Sequence, residues 1–309
     1  MKKLRAAVVG VGYLGHFHAQ KYKANSNVEL VGVFDLNKEQ AQKVASSLQV
    51  QCFDKLEDLA GKVDLATIAT TTKSHFEVAD FLLRNKIHLN IEKPITVEIV
   101  QAQKLIHLAR ENNLKLSVGH IERFNPAFVK WKMMIGTPTF IEFERVGPFK
   151  ARGADVSVIH DLMIHDIDLL LSLNPGVLKS IEVQGAKVKS SSLDWASVWL
   201  TFSNNLKVYL KASRVSPTAS RMIRSYDSNS QWIANLNTGD LEQIQFGEGM
   251  ATPLVSQRFT TEKRDALQKE TDVFVDSVLH NKEPFLTGEE GLSALALVER
   301  ICLELDTYV

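Results

Sequence analysis

The sequence predicts an α/β protein in which an N-terminal doubly wound parallel sheet precedes an α+β domain with a largely antiparallel open sheet. In residues 1–122, continuous apolar runs alternate with helical patterns, which is typical of a parallel sheet covered by helices. In residues 123–309, several segments alternate apolar and polar residues, which indicates a sheet with one face less buried. A glycine-rich turn joins the first apolar run to the first helical pattern.

Length and composition favour two domains, 1–122 and 123–309, with a C-terminal helix that can pack back onto the first. Lys plus Arg and Asp plus Glu number 36 each, so no charge excess indicates nucleic acid or an anionic membrane as a partner. No run reaches the roughly eighteen apolar residues of a membrane span. Cys52 and Cys302 lack metal-type spacing, which predicts no metal site and a reducing, cytoplasmic location.

The first apolar run, residues 4–9, is predicted to be a buried strand that leads into the pattern G-x-G-x-x-G. Glycines permit a tight turn and let the backbone approach a pyrophosphate, and the next helix points its free N–H groups at that anion. A glycine-rich turn without a ligand is the alternative. The predicted dinucleotide contacts here are Gly10, Gly12, Tyr13, Leu14 and Gly15.

A second predicted strand, residues 28–34, ends in Asp35, twenty residues after Gly15. A carboxylate at this place suits the free ribose hydroxyl of NAD and repels the 2′-phosphate of NADP. Leu36 and Asn37 follow, and neither is an arginine that would receive a phosphate. NAD is therefore favoured over NADP, while an aspartate that caps the following helix is the alternative.

The rest of the first half continues the alternation. Strands are predicted at 63–69, 87–91 and 114–119, and helices at 16–24, 37–48, 75–85 and 96–112. Ser74 and Glu77 resemble a capping box for the third helix, and Thr96 is the predicted start of the fourth. Ligands of such sheets bind at the carboxyl ends of strands, where 70–72, 92–94 and 119–123 lie.

A second candidate site lies on a helix predicted over 159–173. Asp161, His165 and Asp168 are spaced i, i+4, i+7 and share one face, opposite an apolar stripe. The polar face could simply lie in water. If it lines a cleft instead, Asp161 could orient His165, and a histidine can accept the hydroxyl proton in an alcohol oxidation.

Three further residues follow strand ends. Lys93 precedes a proline, which favours extended backbone, and is either a solvated lysine or a group that shares in proton transfer. Arg123 is either a substrate or cofactor contact or part of a structural ion pair. Asn125 with Pro126 is typical of a helix start, here of a linking helix over 125–135.

Taken together, the glycine motif, Glu92-Lys93-Pro94 and the Asp161–Asp168 segment resemble the Gfo/Idh/MocA oxidoreductases, whose N-terminal domain is a Rossmann fold. The resemblance implies that Lys93 and His165 face the reacting carbinol, with Asp161 as third member. It also implies cofactor contacts by Glu92 and Lys93. The threonine run at 70–72 departs from the family's usual Thr-Pro-Asn, although the cofactor-binding positions of Thr70 and His75 are kept.

Within this family, the nonapeptide 118–126 is similar to members that oxidise the 3-hydroxyl of UDP-N-acetylglucosamine. The resemblance implies a nucleotide-sugar substrate. The implied substrate contacts are Lys93, Arg123, Asn125, Asp161 and His165. A dehydrogenase of a free polyol or monosaccharide, such as an inositol, and a non-catalytic NAD-binding sensor are the alternatives.

In the second half, strands are predicted at 139–146, 181–188, 196–202, 206–212, 231–237 and 241–246. Two late helices are predicted, one marked by residues 271–278 and one capped by Thr287 and Glu290 that runs to 306. The resemblance implies a homodimer or homotetramer through this sheet. In a Ser/Thr-rich stretch, Arg214, Arg221 and Arg224 are either diphosphate contacts or exposed loop residues.

Overall fold

In the computed structural model, which describes residues 3–151, 153–247 and 254–306, the chain forms two compact units. The first unit contains Met1–Ile121 and Leu267–Ser293, and the second contains Glu122–Ala266 and Ala294–Val309. The late segment 267–293 thus belongs to the first unit, whereas the predicted division placed it in the second domain. Among the described residues, no helix has the length and hydropathy needed to cross a membrane.

The first unit is built on a six-stranded sheet in which all neighbouring strands are parallel. The strand order is β3-β2-β1-β4-β5-β6, so the order reverses between β1 and β4. Ligands of doubly wound sheets bind at such a reversal. The strands are β1 Leu4–Val9, β2 Val28–Phe34, β3 Gln51–Cys52, β4 Leu65–Ile68, β5 His88–Glu92 and β6 Leu116–Gly119.

Helices follow most of these strands. In chain order the α-helices are α1 Tyr13–Ala24, α2 Lys38–Leu48, α3 Thr72–Arg84, α4 Ile99–Glu111, α5 Pro126–Met134, α6 Ile164–Leu171, α7 Ala266–Leu279 and α8 Gly288–Asp306. The first unit contains α1–α4, nearly all of α7 and the start of α8. At the start of α8, Thr287 and Glu290 exchange the two hydrogen bonds of a capping box, as predicted.

Burial explains why the first strand is a continuous apolar run. Ala6, Ala7, Val8 and Val9 are all fully buried, because helices cover both faces of the sheet. The bounds of β1 and β2 match the predicted strands 4–9 and 28–34. The predicted α/β class is confirmed.

The residues predicted to begin α3 and α4 are wrong. α3 begins at position 72 after Thr71, and the hydroxyl of Ser74 donates to Thr71 O (2.9 Å) instead of closing a capping box with Glu77. α4 begins at position 99, because Glu98 forms the capping box with the residue three positions later. Thr96 only donates its hydroxyl to the carbonyl of Glu98 (2.7 Å). In both cases the hydroxyl donates to the carbonyl oxygen of the N-cap residue and does not itself cap the helix.

The second unit contains an eight-stranded sheet in the order β14-β13-β12-β11-β7-β10-β9-β8. Only the pair of β7 and β10 is parallel among the strand pairs of this sheet that the structure describes. The strands are β7 Phe140–Val146, β8 Leu178–Ala186, β9 Trp195–Phe202, β10 Lys207–Ser213, β11 Ser220–Tyr226, β12 Ser230–Asn235, β13 Asp240–Gln245 and β14 Val255–Thr260.

One face of this sheet is covered by the core of the second unit. Side chains of α5, such as Phe128 and Trp131, pack there with those of the segment 158–170 and of α8 from Ala294 onward. The indole of Trp131 donates to the hydroxyl of Ser225 on β11 (3.2 Å). This inward-facing serine interrupts the apolar alternation, which is why the sequence did not predict β11. Strand β14 was not predicted either, and it is mostly exposed at the edge of the sheet.

Candidate active site

The glycine turn after β1 is shaped so that glycine is required at two positions. Gly10 has φ +84°, and a Cβ there would lie 2.7 Å from the backbone N of Thr70. A Cβ on Gly15 would lie 1.8 Å from the carbonyl oxygen of Gly10. At Gly12, in contrast, a Cβ would meet no protein atom within 4 Å. The backbone at Gly12 is therefore open to a ligand, while its two neighbours in the motif are packed against the protein.

The first helix presents its N-terminus at this turn. Gly12 is the N-cap, and no described side chain caps the helix or places an acid in its first turn. Its first residues are Tyr13, which is 68% exposed, and Leu14, which is half-buried. The predicted start at residue 16 was therefore three residues late. Uncapped N–H groups and the positive end of the helix dipole fit a pyrophosphate.

Asp35 supports the glycine turn directly. Its Oδ2 accepts the backbone N–H of Val11 (2.7 Å), and its Oδ1 accepts that of Asn37 (2.9 Å). The N-cap of α2 is Asn37, whose side chain accepts the N–H of Gln40, so the alternative of Asp35 as the helix cap is wrong. Each carboxylate oxygen has a second acceptor position that suits a ribose hydroxyl.

The ends of β4 and β5 are tied together by a buried histidine. The ring of His75, 1% exposed, contacts the carbonyl oxygen of Pro94 through Nδ1 (3.0 Å) and that of Thr70 through Nε2 (3.2 Å). Burial lowers the pKa of His75, so the neutral ring donates to one of the two carbonyls. This residue therefore holds the two predicted cofactor-binding loops in place, and Thr70 contributes its backbone to that bond.

Glu92 closes β5 and supports the next residue. Its Oε1 lies 2.7 Å from Nε2 of His18, and its Oε2 accepts the backbone N–H of Lys93 (3.3 Å). Burial alone would raise the pKa of Glu92, but the hydrogen bond and charge of His18 and the charge of Lys93 lower it overall. Glu92 is therefore an anion beside the half-buried Lys93.

In the second unit, Asp161 and His165 lie on a helical segment that begins with a π-helical turn. This turn covers Ile159–Met163, and α6 continues from it. Both side chains are half-buried, and a Cβ on Gly153 would lie 2.7 Å from Oδ2 of Asp161. Single π-helical turns are frequent at functional sites because they re-aim side chains within a helix.

The predicted open polar face does not extend to Asp168. This residue is 1% exposed, and its carboxylate accepts Nε (2.7 Å) and Nη2 (2.9 Å) of Arg123. Asp166, one position off that face, is equally enclosed and pairs with Arg145 (2.7 Å). The helix is thus buried nearly all round. Asp168 has the spacing of the face that carries Asp161 and His165, but it is not exposed with them. Of the two roles predicted for Arg123, the structure shows the structural ion pair.

Glu122 and Asn125 belong to the same buried network. Oε1 of Glu122 accepts Nη1 of Arg145 (2.8 Å) and of Arg221 (3.2 Å). Burial alone would raise the pKa of Glu122, but the charges of these two arginines lower it overall. Asn125 caps α5 through the N–H of Ala127, as predicted, and its Nδ2 donates to Glu122 (3.1 Å).

The three arginines of the Ser/Thr-rich stretch are not on an exposed loop, so that alternative is wrong. Arg221 and Arg224 lie on β11, and Arg224 pairs with Glu142 of the neighbouring β7 (3.2 Å). Arg214 is 6% exposed and donates to the carbonyl oxygens of Gly153, Val156 and Leu193. It therefore fastens the loop that contacts Asp161.

Sequence reasoning missed one buried cluster in the first unit. Its members are at most 2% exposed: His18, Asn90 and Glu270. His18 bonds to the carboxylate of Glu92, and Asn90 donates to Glu270, whose charge interacts with both His18 and Glu92. One signal was available, since Glu270 directly precedes positions 271–278, which mark α7. Within the described ranges, no group of three or more His, Cys, Asp or Glu could hold a metal ion.

Comparison with known proteins agrees with this arrangement. Residues 4–120 match the NAD-binding Rossmann fold of the Gfo/Idh/MocA oxidoreductase family, and residues 134–228 match a C-terminal domain of the same family. The UDP-N-acetylglucosamine 3-dehydrogenase of Acidithiobacillus ferrooxidans is 34% identical, covering 100% of this chain and 99% of its own. A solved structure of that enzyme superposes with a TM-score of 0.93.

A more distant relative is the inositol 2-dehydrogenase of Rhizobium meliloti, 24% identical with 96% of this chain and 95% of its own covered. The matches span both units, and the glycine turn, uncapped helix and Asp35 fit the cofactor that the family model names. The chain therefore belongs to the Gfo/Idh/MocA oxidoreductases, and its first unit carries their NAD-binding Rossmann fold.

Proposed function

We propose that this oxidoreductase oxidises a secondary hydroxyl of a nucleotide-sugar, namely C3 of UDP-N-acetylglucosamine, to the 3-keto sugar. The observation that carries the proposal is the 34% identity over the full chain to an enzyme of that activity, against 24% to an inositol dehydrogenase. A free polyol substrate is the second candidate, because inositol dehydrogenases also align along nearly the whole chain.

The first unit supplies the cofactor site in this proposal. The backbone at Gly12 and the start of α1, with Tyr13 and Leu14, receive the pyrophosphate of NAD, and Asp35 receives the adenosine ribose. Thr70 and the turn after Glu92 border the same carboxyl edge of the sheet. When bound, NAD accepts the hydride that leaves the carbinol carbon.

Lys93 and His165 handle the hydroxyl proton. As hydride leaves carbon, the O–H bond must also break, and the His165 imidazole accepts that proton. The Lys93 ammonium donates a hydrogen bond to the substrate oxygen and stabilises the negative charge that develops there. Asp161, four residues before His165, orients the imidazole.

Arg123 and Asn125 stay predicted substrate residues, although both also hold the fold. Arg123 is bound to Asp168, and Asn125 caps α5 and donates to the carbonyl oxygen of Leu236 (3.0 Å). Their substitution would therefore change stability as well as KM. Lys93, Asp161 and His165 give the cleaner tests.

The direct experiment supplies NAD and UDP-N-acetylglucosamine and follows NADH formation, with mass spectrometry of the sugar product. His165→Ala and Lys93→Ala should each lower kcat by roughly 10²–10⁴-fold, the usual contribution of a positioned acid–base group. His107→Ala is the matched control, because His107 is an exposed residue that pairs only with Glu111 among the contacts described. Normal kcat in both site variants would refute the mechanism.

Competition by UDP alone separates the candidate substrates. A nucleotide-sugar site should bind UDP and lose activity as UDP is added, whereas a site for a free inositol should be indifferent to it. Turnover with inositol but not with UDP-N-acetylglucosamine would support the second candidate. Absence of turnover with every sugar would instead favour a non-catalytic NAD-binding sensor.

We also propose a homodimer or homotetramer that forms through the open face of the eight-stranded sheet. Four aromatic rings form a strip there, and their centroids are 4.8–5.8 Å apart: Tyr226, Phe140, Trp199 and Tyr209. Trp199 is 45% exposed in the single chain. Exposed aromatic strips of this kind are typical of interfaces. Neither Cys52 nor Cys302 forms a disulfide, which agrees with the proposed cytoplasmic location.

Light scattering tests the assembly. Trp199→Glu should convert the oligomer to monomers, whereas Val177→Glu, an exposed apolar residue outside the strip, should leave the mass unchanged. A monomeric wild-type protein, or an unchanged mass for Trp199→Glu, would refute this interface.

A further inference from the structure

Behind the Lys93 turn, the first unit encloses a cluster of polar side chains that the proposed mechanism does not use. His18 of α1, Asn90 and Glu92 of β5 and Glu270 of α7 meet there. His18 is fully buried, Asn90 is 1% exposed and Glu270 is 2% exposed. Two titratable groups without access to water are costly unless they are paired.

The cluster is only partly satisfied by hydrogen bonds. Nε2 of His18 lies 2.7 Å from Oε1 of Glu92, and Nδ2 of Asn90 donates to Oε1 of Glu270 (3.0 Å). Nδ1 of His18, Oδ1 of Asn90 and Oε2 of Glu270 are buried and have no hydrogen-bond partner among the described residues. Buried polar atoms are normally paired, so a proton or a water molecule is expected between them.

Chemistry limits what that proton can do. Glu92 is an acceptor, so Nε2 of His18 must carry its hydrogen toward Glu92. Nδ1 of His18 can then either receive a proton from the Glu270 carboxyl or donate one to the Glu270 carboxylate. One proton relayed through a single water between Nδ1 and Oε2 satisfies both of these atoms in either position.

We propose that Glu270 is a positioning residue that shares a proton with His18, and that this sharing fixes the His18–Glu92 bond and with it the backbone at Lys93. The last link is the N–H of Lys93, which donates to Oε2 of Glu92 (3.3 Å). This inference rests on the proposed role of Lys93. Glu270 acts through His18 and Glu92 and does not itself touch the substrate.

Electrostatics agrees with a proton shared near neutrality. Burial raises the pKa of Glu270 to about 7. The charge of His18 opposes this shift, and the charge of Glu92 adds to it. Burial alone would lower the pKa of His18, but the hydrogen bond and charge of Glu92, with the charge of Glu270, raise it overall. The cluster therefore exchanges one proton near pH 7.

The other ionisable groups around the cluster do not change their protonation state near pH 7. The hydroxyl of Tyr22 of α1 forms a hydrogen bond with the hydroxyl of Thr67 of β4 (2.8 Å). Burial raises the pKa of Tyr22, so this residue stays neutral. Burial lowers the pKa of His75 of α3, which interacts with Glu92, so it is neutral as well. Lys93 is the remaining charged neighbour of Glu92.

The test compares the wild type with Glu270→Gln in the free, full-length protein. The glutamine keeps the volume and the acceptor for Asn90 but cannot titrate. In ¹⁵N-histidine NMR over roughly pH 5.5–8.5, the His18 ring signal should titrate in both proteins, and its midpoint should be lower in the variant, because the charge of Glu270 is one of the causes that raise the His18 pKa. His18→Asn identifies the signal by removing it. Ser277→Ala, buried on the same helix with its hydroxyl bonded to Phe274 O (2.7 Å), is the control that keeps the wild-type titration.

Kinetics supplies the second readout. Glu270→Gln should lower kcat roughly 10- to 100-fold, as loss of positioning by a remote change does, with KM for NAD nearly unchanged and the inflection near pH 7 lost from the kcat profile. A variant His18 midpoint equal to that of the wild type, or a wild-type signal that is flat over this range, overturns the proposal. The flat wild-type signal would do so even if the variant fails to fold. The NMR experiment uses the free protein and needs no substrate. A wild type without turnover on UDP-sugars would therefore refute the proposed function, whereas the NMR result would still test the proton shared by His18 and Glu270.

Discussion

The buried pair of Arg123 and Asp168 makes a quantitative prediction about stability. The two side chains are 7% and 1% exposed, and two short hydrogen bonds of 2.7 and 2.9 Å join them. Asp168→Asn keeps the volume of the side chain but removes the negative charge that accepts two hydrogen bonds from the buried guanidinium. Breaking a buried ion pair on one side costs about 3–5 kcal/mol, so we expect the free energy of unfolding to fall by that amount.

The assay is urea unfolding followed by tryptophan fluorescence. All four tryptophans, at positions 131, 195, 199 and 232, lie in the second unit together with this pair, so the signal reports the relevant unit. Arg258→Gln breaks the exposed Arg258–Glu242 pair of the same unit and should leave the midpoint unchanged.

Replacing both partners gives the decisive comparison. Arg123→Met combined with Asp168→Leu removes both charges, and it should recover most of the stability lost in Asp168→Asn, since an apolar pair avoids the desolvation cost. A loss below about 1 kcal/mol in Asp168→Asn, the size typical of surface pairs, would refute the reasoning from burial.

Three further predictions concern the first unit. Gly15→Ala places a methyl group 1.8 Å from the Gly10 carbonyl oxygen, so NADH fluorescence should show binding weakened by more than about tenfold, or 1.4 kcal/mol. Asp35→Ala removes the proposed ribose acceptor and the bond to Val11 N, so the ratio of kcat/KM for NAD over NADP should fall; an unchanged ratio would contradict the proposed role of this carboxylate. Glu270 has a pKa raised from 4.5 to about 7, so the folded state holds a proton that the unfolded state has lost between these values, and stability falls as pH rises through them. That contribution is about 3 kcal/mol at 1.36 kcal/mol per pH unit, and circular dichroism at pH 5 and 8 should show it in the wild type and not in Glu270→Gln.

Local pattern was sufficient to predict the fold around the proposed nucleotide-binding site. The apolar run before Gly10, the glycine spacing and Asp35 at the end of the second strand each involve neighbours along the chain. Helix starts were less well predicted, because Ser74 and Thr96 can satisfy either a helix or the loop before it.

The charged residues of the second half show where such reasoning ends. Asp168 had the spacing of an exposed helix face, yet its partner Arg123 is 45 residues away and the pair is buried. The arginines at 214, 221 and 224 had the composition of a loop, yet two of them lie in a strand. In both cases the environment of a charge depended on which distant segment packed against it.

The sequence by itself determined the fold class, the alternating strands and helices, the glycine turn and the choice of NAD, because those depend on contacts within a few residues. Only the tertiary structure decided which charges are buried and with what partner. Asn90 and Glu270 are 180 positions apart, and their meeting depends on the late segment 267–293 belonging to the first unit. Periodicity records which face of a helix is apolar, but the pKa of a buried carboxyl depends on the full set of charges around it.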